Sequence, residues 1–183
     1  MRLLFLAPSP PLPPAGGGSL RMYHMVRTLG HRFELDLVGP ALTGSAEATE
    51  LLRGHCREIE FVPPRIGPLR RMVRLGPYEH DPAMAEAIER RLTTTTYDAV
   101  QVEKPAMLVY LPPRLEVPVI LDIWAYGLAG AIRALRHEPG FLARTRNLIR
   151  LARFSIFDRF CWPALSGILV VSEIDRQRCL KAR

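Results

Sequence analysis

Short apolar runs alternate along this chain with stretches whose apolar residues recur at three- and four-residue intervals. RLLFLA (2–7), FELDLVG (33–39), REIEFVP (57–63), DAVQVE (98–103), VPVILDI (117–123) and GILVVS (167–172) read as strands. Several are apolar at consecutive positions, as expected of strands covered on both faces of a sheet. Helical patterns fall near 18–30, 45–54, 81–93, 105–111, 127–161 with a break, and 173–182. The alternation predicts an α/β fold: a Rossmann-like, doubly wound, mainly parallel sheet between two helical layers. No internal repeat is visible.

Boundary residues support these elements. Asp81-Pro82 reads as an N-cap followed by proline at the first helical position, where a missing N–H costs nothing. Ser172 and Asp175 have capping-box spacing, with aspartate in place of the usual glutamate or glutamine. Pro139-Gly140 breaks the long helical stretch. Ligands of open α/β sheets bind outside the carboxyl ends of the strands, near the point where strand order reverses. That rule selects 16–19, 40–44, 103–106, 122–127 and 172–175.

At 183 residues the chain is read as one unit, 1–183. The formal charge of +7 is carried almost wholly by arginine, since Lys104 and Lys181 are the only lysines. Such a balance suits anionic partners without choosing among nucleotide diphosphates, lipid headgroups and nucleic acid. No nucleic-acid reading motif accompanies the arginines. Cys56, Cys161 and Cys179 are scattered and lack ligand spacing, which argues against a disulfide framework or zinc site and for a cytoplasmic setting. The apolar start MRLLFLA is too short for a signal peptide, which needs an apolar core of roughly 7 to 15 residues. No run approaches the ~20 apolar residues of a membrane span.

Candidate chemistry gathers at the selected places. Gly16, Gly17 and Gly18 let a phosphate approach backbone N–H groups at the start of a helix; the alternative is a plain turn. Arg21 occupies the third glycine position of GxGxxG, and PSPPLPP separates the glycines from their strand, so a dinucleotide fingerprint is not satisfied. GxxxxGK[ST] is absent. Glu103 sits where a parallel strand delivers a side chain to the cleft, either to serve a substrate hydroxyl or as a partly buried acid paired with an arginine. Asp122 is a charge at the end of an apolar run, costly unless paired or functional; the plain alternative is a helix N-cap. Trp124 and Tyr126 offer stacking surfaces, with Trp124 equally suited to a core position. Acids are not clustered with ligand spacing, so no metal is expected.

The order of RLLFLAPSPPLPPAGGGSLRMYHMVRTLG, YDAVQVEKP, VPVILDIWAYG and FDRFCWPALSGILVVSEIDRQRCL resembles the amino-terminal domain of family-4 glycosyltransferases of the GT-B fold, over essentially the whole chain. The resemblance implies a retaining transfer of sugar from a nucleotide-sugar to a glycan or lipid-linked acceptor, with no further cofactor. It implies that Gly16–Ser19 touch the donor diphosphate, and that Glu103 and Asp122, with Arg21, Trp124 and Tyr126, serve the acceptor side. Family members often carry histidine where this chain has Glu103 and near the position of Trp124. The family's glutamate pair that grips the donor belongs to a carboxyl-terminal domain; Glu50 and Glu58 repeat its spacing by coincidence, so that domain is expected to be absent from this chain.

Two arginine-rich segments remain. IGPLRRMVRLGPY and FLARTRNLIRLARFSIFDRF mix Arg70, Arg71, Arg74, Arg144, Arg146, Arg150, Arg153 and Arg159 with apolar residues. They are expected either to rest on an anionic membrane or, for the second, to pack its apolar face on the sheet. A non-catalytic module for an anionic glycan or lipid is the rival function.

Overall fold

A computed structural model describes residues 1–12, 16–65, 80–112, 115–124, 132, 135–137, 140–141, 143–145, 147–149, 151–152 and 165–182. Six parallel strands form one sheet: β1 (Arg2–Leu6), β2 (Glu34–Pro40), β3 (Glu58–Val62), β4 (Ala99–Glu103), β5 (Val119–Ile123) and β6 (Gly167–Val170). Their order is β3-β2-β1-β4-β5-β6, the doubly wound Rossmann-like arrangement expected from the alternation. Strand order reverses between β1 and β4, which opens a crevice at their carboxyl ends.

Alternate residues of each strand feed opposite layers. Leu4, Leu6, Val100, Val102, Leu121 and Ile123 pack with Met84 and Ile88 of α3 (Pro82–Thr94). Leu3, Phe5, Leu35 and Leu37 pack with Met22 and Val26 of α1 (Gly17–Gly30). Double coverage explains the unbroken apolar runs: Leu4, Phe5 and Leu6 are all fully buried. α2 (Ser45–Leu52) buries Ala48 and Leu52, and α4 (Glu173–Ala182) follows β6.

The expected caps form. Asp81 accepts from the Ala83 N–H at 2.9 Å, and Ser172 accepts from the Asp175 N–H at 3.1 Å while its hydroxyl donates to the Asp175 carboxylate at 2.9 Å. The helix expected over 105–111 is instead a 3-10 turn, Pro105–Tyr110. Pro105 cannot donate, and Lys104 before it has φ 70°, so the chain enters the turn from outside helical geometry. β5 begins at Val119 rather than Val117 because Pro118 offers the ladder a carbonyl and no N–H; that carbonyl accepts from Val100.

Sequence reasoning passed over Asp36, in the middle of β2. It is fully buried and takes hydrogen bonds from Arg57 at 2.9 and 2.8 Å, from Arg2 at 3.3 and 3.2 Å and from the Tyr97 hydroxyl at 2.7 Å. These partners enter β1, β3 and β4, so one carboxylate ties the amino ends of four adjacent strands together.

Candidate functional site

Parallel register sets the centre of the site. Glu103 ends β4 directly beside Asp122 of β5, and both are fully buried. Period-two alternation puts Gln101, Glu103, Asp122 and Trp124 on the α1 side of the sheet. Contacts with α1 confirm that side: Arg21 reaches Asp122, and Met25 sulfur lies 3.9 Å from the Gln101 amide nitrogen.

The two acids are held differently. Arg21 donates from Nε at 2.9 Å and lies with Nη2 at 2.8 Å, both on Asp122 Oδ2. Asp122 Oδ1 is buried without a hydrogen-bond partner, although the Ile123 backbone N–H eases its charge. Burial raises the Asp122 pKa, against the pull of Arg21. Glu103 accepts from the Trp124 indole N–H at 2.9 Å and from the Gln101 amide at 3.3 Å. Its carboxyl is pushed up to about 7, first by burial and then by the Asp122 charge beside it. A carboxyl that ionises near neutrality and a neighbour with one unused acceptor atom suit hydroxyl recognition or proton transfer.

The glycine run divides into two parts. Gly16 has φ 116°, and no atom stands within 4 Å of a Cβ built on Gly16 or Gly17. Leu20 N–H makes the first helical bond, to Gly16 O, and no side chain caps this end, so the first turn of α1 points bare N–H groups outward. Gly18 faces inward: a Cβ there would lie 1.8 Å from the Trp124 ring. The Ser19 hydroxyl is spent on the proline-rich loop, donating to Pro10 O at 3.2 Å and accepting from Leu12 N at 3.0 Å.

Trp124 is therefore a wedge between Gly18 and the Lys104 ammonium, which sits 4.0 Å over its ring. Tyr126 lies outside the described residues. The structure brings together Gly18, Arg21, Glu103, Asp122 and Trp124. It replaces the N-cap alternative for Asp122 with an ion pair, and gives Glu103 tryptophan and glutamine partners in place of the expected arginine. Gln101 and Lys104 were missed. Gln101 was legible as a polar residue two positions before Glu103; Lys104 gave no signal, because its left-handed φ is visible only in three dimensions.

Gly18→Ala is expected to displace the indole, break its bond to Glu103 and lower stability by about 1–3 kcal/mol. Urea unfolding would read the loss, and Trp124 emission in a Trp162→Phe background would read the displacement. An unshifted spectrum would show that the ring does not rest on Gly18.

An open groove of about 540 Å³ runs along α1 from Gly17 and Arg21, the partner of Asp122, past His24 and Met25 to Leu29. No group of three potential metal ligands gathers among the described residues. None of their helices is long and apolar enough to cross a membrane.

Similarity to one solved structure points to the same fold as the topology. Anabaena Alr3699/HepE, determined in complex with UDP and glucose, matches at 16% identity and a TM-score of 0.57, over 100% of this chain and 41% of that one. The shared property is the fold. A UGT transferase from Siraitia grosvenorii, determined in complex with UDP, matches at 16% identity and a TM-score of 0.49, over 92% of this chain and 44% of its own. This chain thus spans less than half the length of either structure. No protein-family model and no curated protein matches it.

Proposed function

We propose that this chain is the acceptor-side, amino-terminal domain of a retaining family-4 glycosyltransferase, moving a sugar from a nucleotide-sugar to a glycan or lipid-linked acceptor. The observation that carries the reading is the buried Glu103–Asp122 pair, gripped by Arg21, at strand ends beside the bare first turn of α1. The fold shared with a protein that holds UDP and glucose supports it. In this reading the N–H groups around Gly16 and Gly17 meet the donor diphosphate, with the nucleotide on a second domain or chain. Asp122 Oδ1 accepts an acceptor hydroxyl. Glu103, when ionised, takes that hydroxyl's proton as the new glycosidic bond forms and the nucleoside diphosphate departs. The acceptor extends along the α1 groove.

Exposed Phe141, Leu148 and Ile149, in a segment rich in arginine, support an accompanying contact with an anionic membrane face. The arginines at 70, 71, 74, 146, 150, 153 and 159 lie outside the described residues.

The test is sugar transfer from UDP-glucose by protein carrying this domain together with its donor half. Asp122→Asn is expected to lower turnover about 10²-fold or more, the scale of a lost proton-transfer or positioning group. Turnover within twofold of the parent would remove Asp122 from the chemistry. Saturable binding of donor and acceptor with no turnover by any pairing would favour the non-catalytic module.

A further inference from the structure

Three buried side-chain polar atoms among the described residues lack a hydrogen-bond partner: Asp122 Oδ1, Arg27 Nε and His55 Nδ1. The first belongs to the site above. The other two lie together near the opposite end of α1. Tyr23, Arg27 and His31 follow one another at four-residue spacing, which aligns them on one helix face. The Arg27 guanidinium lies 5.4 Å over the Tyr23 ring, and the His31 ring meets that of His55 edge-on at 5.0 Å. Gly30 permits this approach, because a Cβ there would come within 2.0 Å of the His55 carbonyl oxygen.

Among the described residues no acid forms an ion pair with the group. The charges acting on His55 are those of His31 and Arg27; with burial ahead of them, they lower its pKa. Neighbouring Cys56 is held neutral, its thiol pushed up to about 12 by burial. Arg53, at the end of α2, is already paired with Glu50, and Asp36 is committed to Arg2 and Arg57. At the helix end two carbonyls are already taken: His31 N–H donates to Arg27 O, and the Arg32 and Phe33 N–H groups donate to Leu29 O.

We propose that Arg27, His31 and His55 form a binding site for a single phosphate group, remote from the Glu103–Asp122 centre. The guanidinium Nε supplies a charge-assisted donor, and each imidazole one ring N–H, to an anion with several acceptor oxygens. The fourteen residues of α1 place this site about 20 Å from Gly16, at 1.5 Å per residue, so the two sites do not overlap.

The test is an NMR titration of the histidine ring protons with inorganic phosphate at constant ionic strength, chloride being the balancing anion. At pH 6, His31 and His55 are expected to shift saturably while His24 and His80 stay in place. Arg27→Gln, and Arg27→Lys as a charge-retaining variant, are expected to weaken binding about tenfold, the scale of one charge-assisted bond. Sedimentation with phosphatidic acid vesicles identifies the source. Capture lost on Arg27→Gln assigns a lipid headgroup, and capture unaffected by it alongside a saturable phosphate titration assigns a soluble phosphate. The absence of a saturable shift at pH 6, or binding as tight as the parent's in both Arg27 variants, would overturn the proposal.

Discussion

Asp36→Ala is expected to remove about 3–5 kcal/mol of folding stability, the scale of breaking a buried ion pair by deleting one partner. That is a large part of the roughly 5–15 kcal/mol by which ordinary domains are stable. The physical reason is asymmetry. Arg2 and Arg57 lose the carboxylate that offsets their desolvation, and the Tyr97 hydroxyl loses its acceptor inside the sheet. Tyr97 is buried, and its pKa is raised by that burial together with its bond to Asp36, so it stays a neutral donor throughout the physiological range. Tyr97→Phe removes one neutral partner and is expected to cost about 1 kcal/mol. Urea midpoints of Asp36→Ala, Tyr97→Phe and the double variant measure the knot directly. A loss below 1 kcal/mol for Asp36→Ala would show that the sheet holds its amino ends without it.

What the sequence revealed and what it withheld divide along one physical line. Apolar runs, the Asp81-Pro82 start and the Ser172 cap are local, so elements and sheet type could be read from neighbours within a few residues. Asp122 and Glu103 were legible as candidates because charge at the end of an apolar strand is costly wherever its partner lies. Their partners were not legible. Arg21 reaches Asp122 across 101 positions, and Tyr97 reaches Asp36 across 61. Gly18 illustrates the difference most directly. In sequence it is one of three equivalent glycines before a helix, yet Gly16 and Gly17 open to space while Gly18 admits the Trp124 ring. Composition gave these residues one meaning, and tertiary contact gave them two.

Glu103→Gln is expected to stabilise the domain above neutral pH while impairing transfer. Burial and the neighbouring Asp122 charge raise the Glu103 pKa from its ordinary 4.5 to about 7. Between those values the folded protein retains a proton that the unfolded chain releases. The contribution of Glu103 to stability is therefore fullest below about pH 4.5 and is lost as pH rises towards 7, by about 3 kcal/mol at 1.36 kcal/mol per pH unit. Glutamine carries no charge to desolvate. Its side-chain oxygen still accepts from the Trp124 N–H, and rotation of the Gln101 amide restores the second contact. Urea midpoints at pH 5 and pH 8 separate the accounts. The parent is expected to lose stability between the two, and Glu103→Gln to lose much less, because Asp122 is then the one carboxyl among the described residues with a raised pKa. A carboxylate kept for structure would behave in the opposite sense: its removal would lower stability at pH 8, where the charge is fully formed. A gain in stability accompanied by lost transfer would mean that the chain tolerates a destabilising charge at the end of β4 for what that charge does to a substrate.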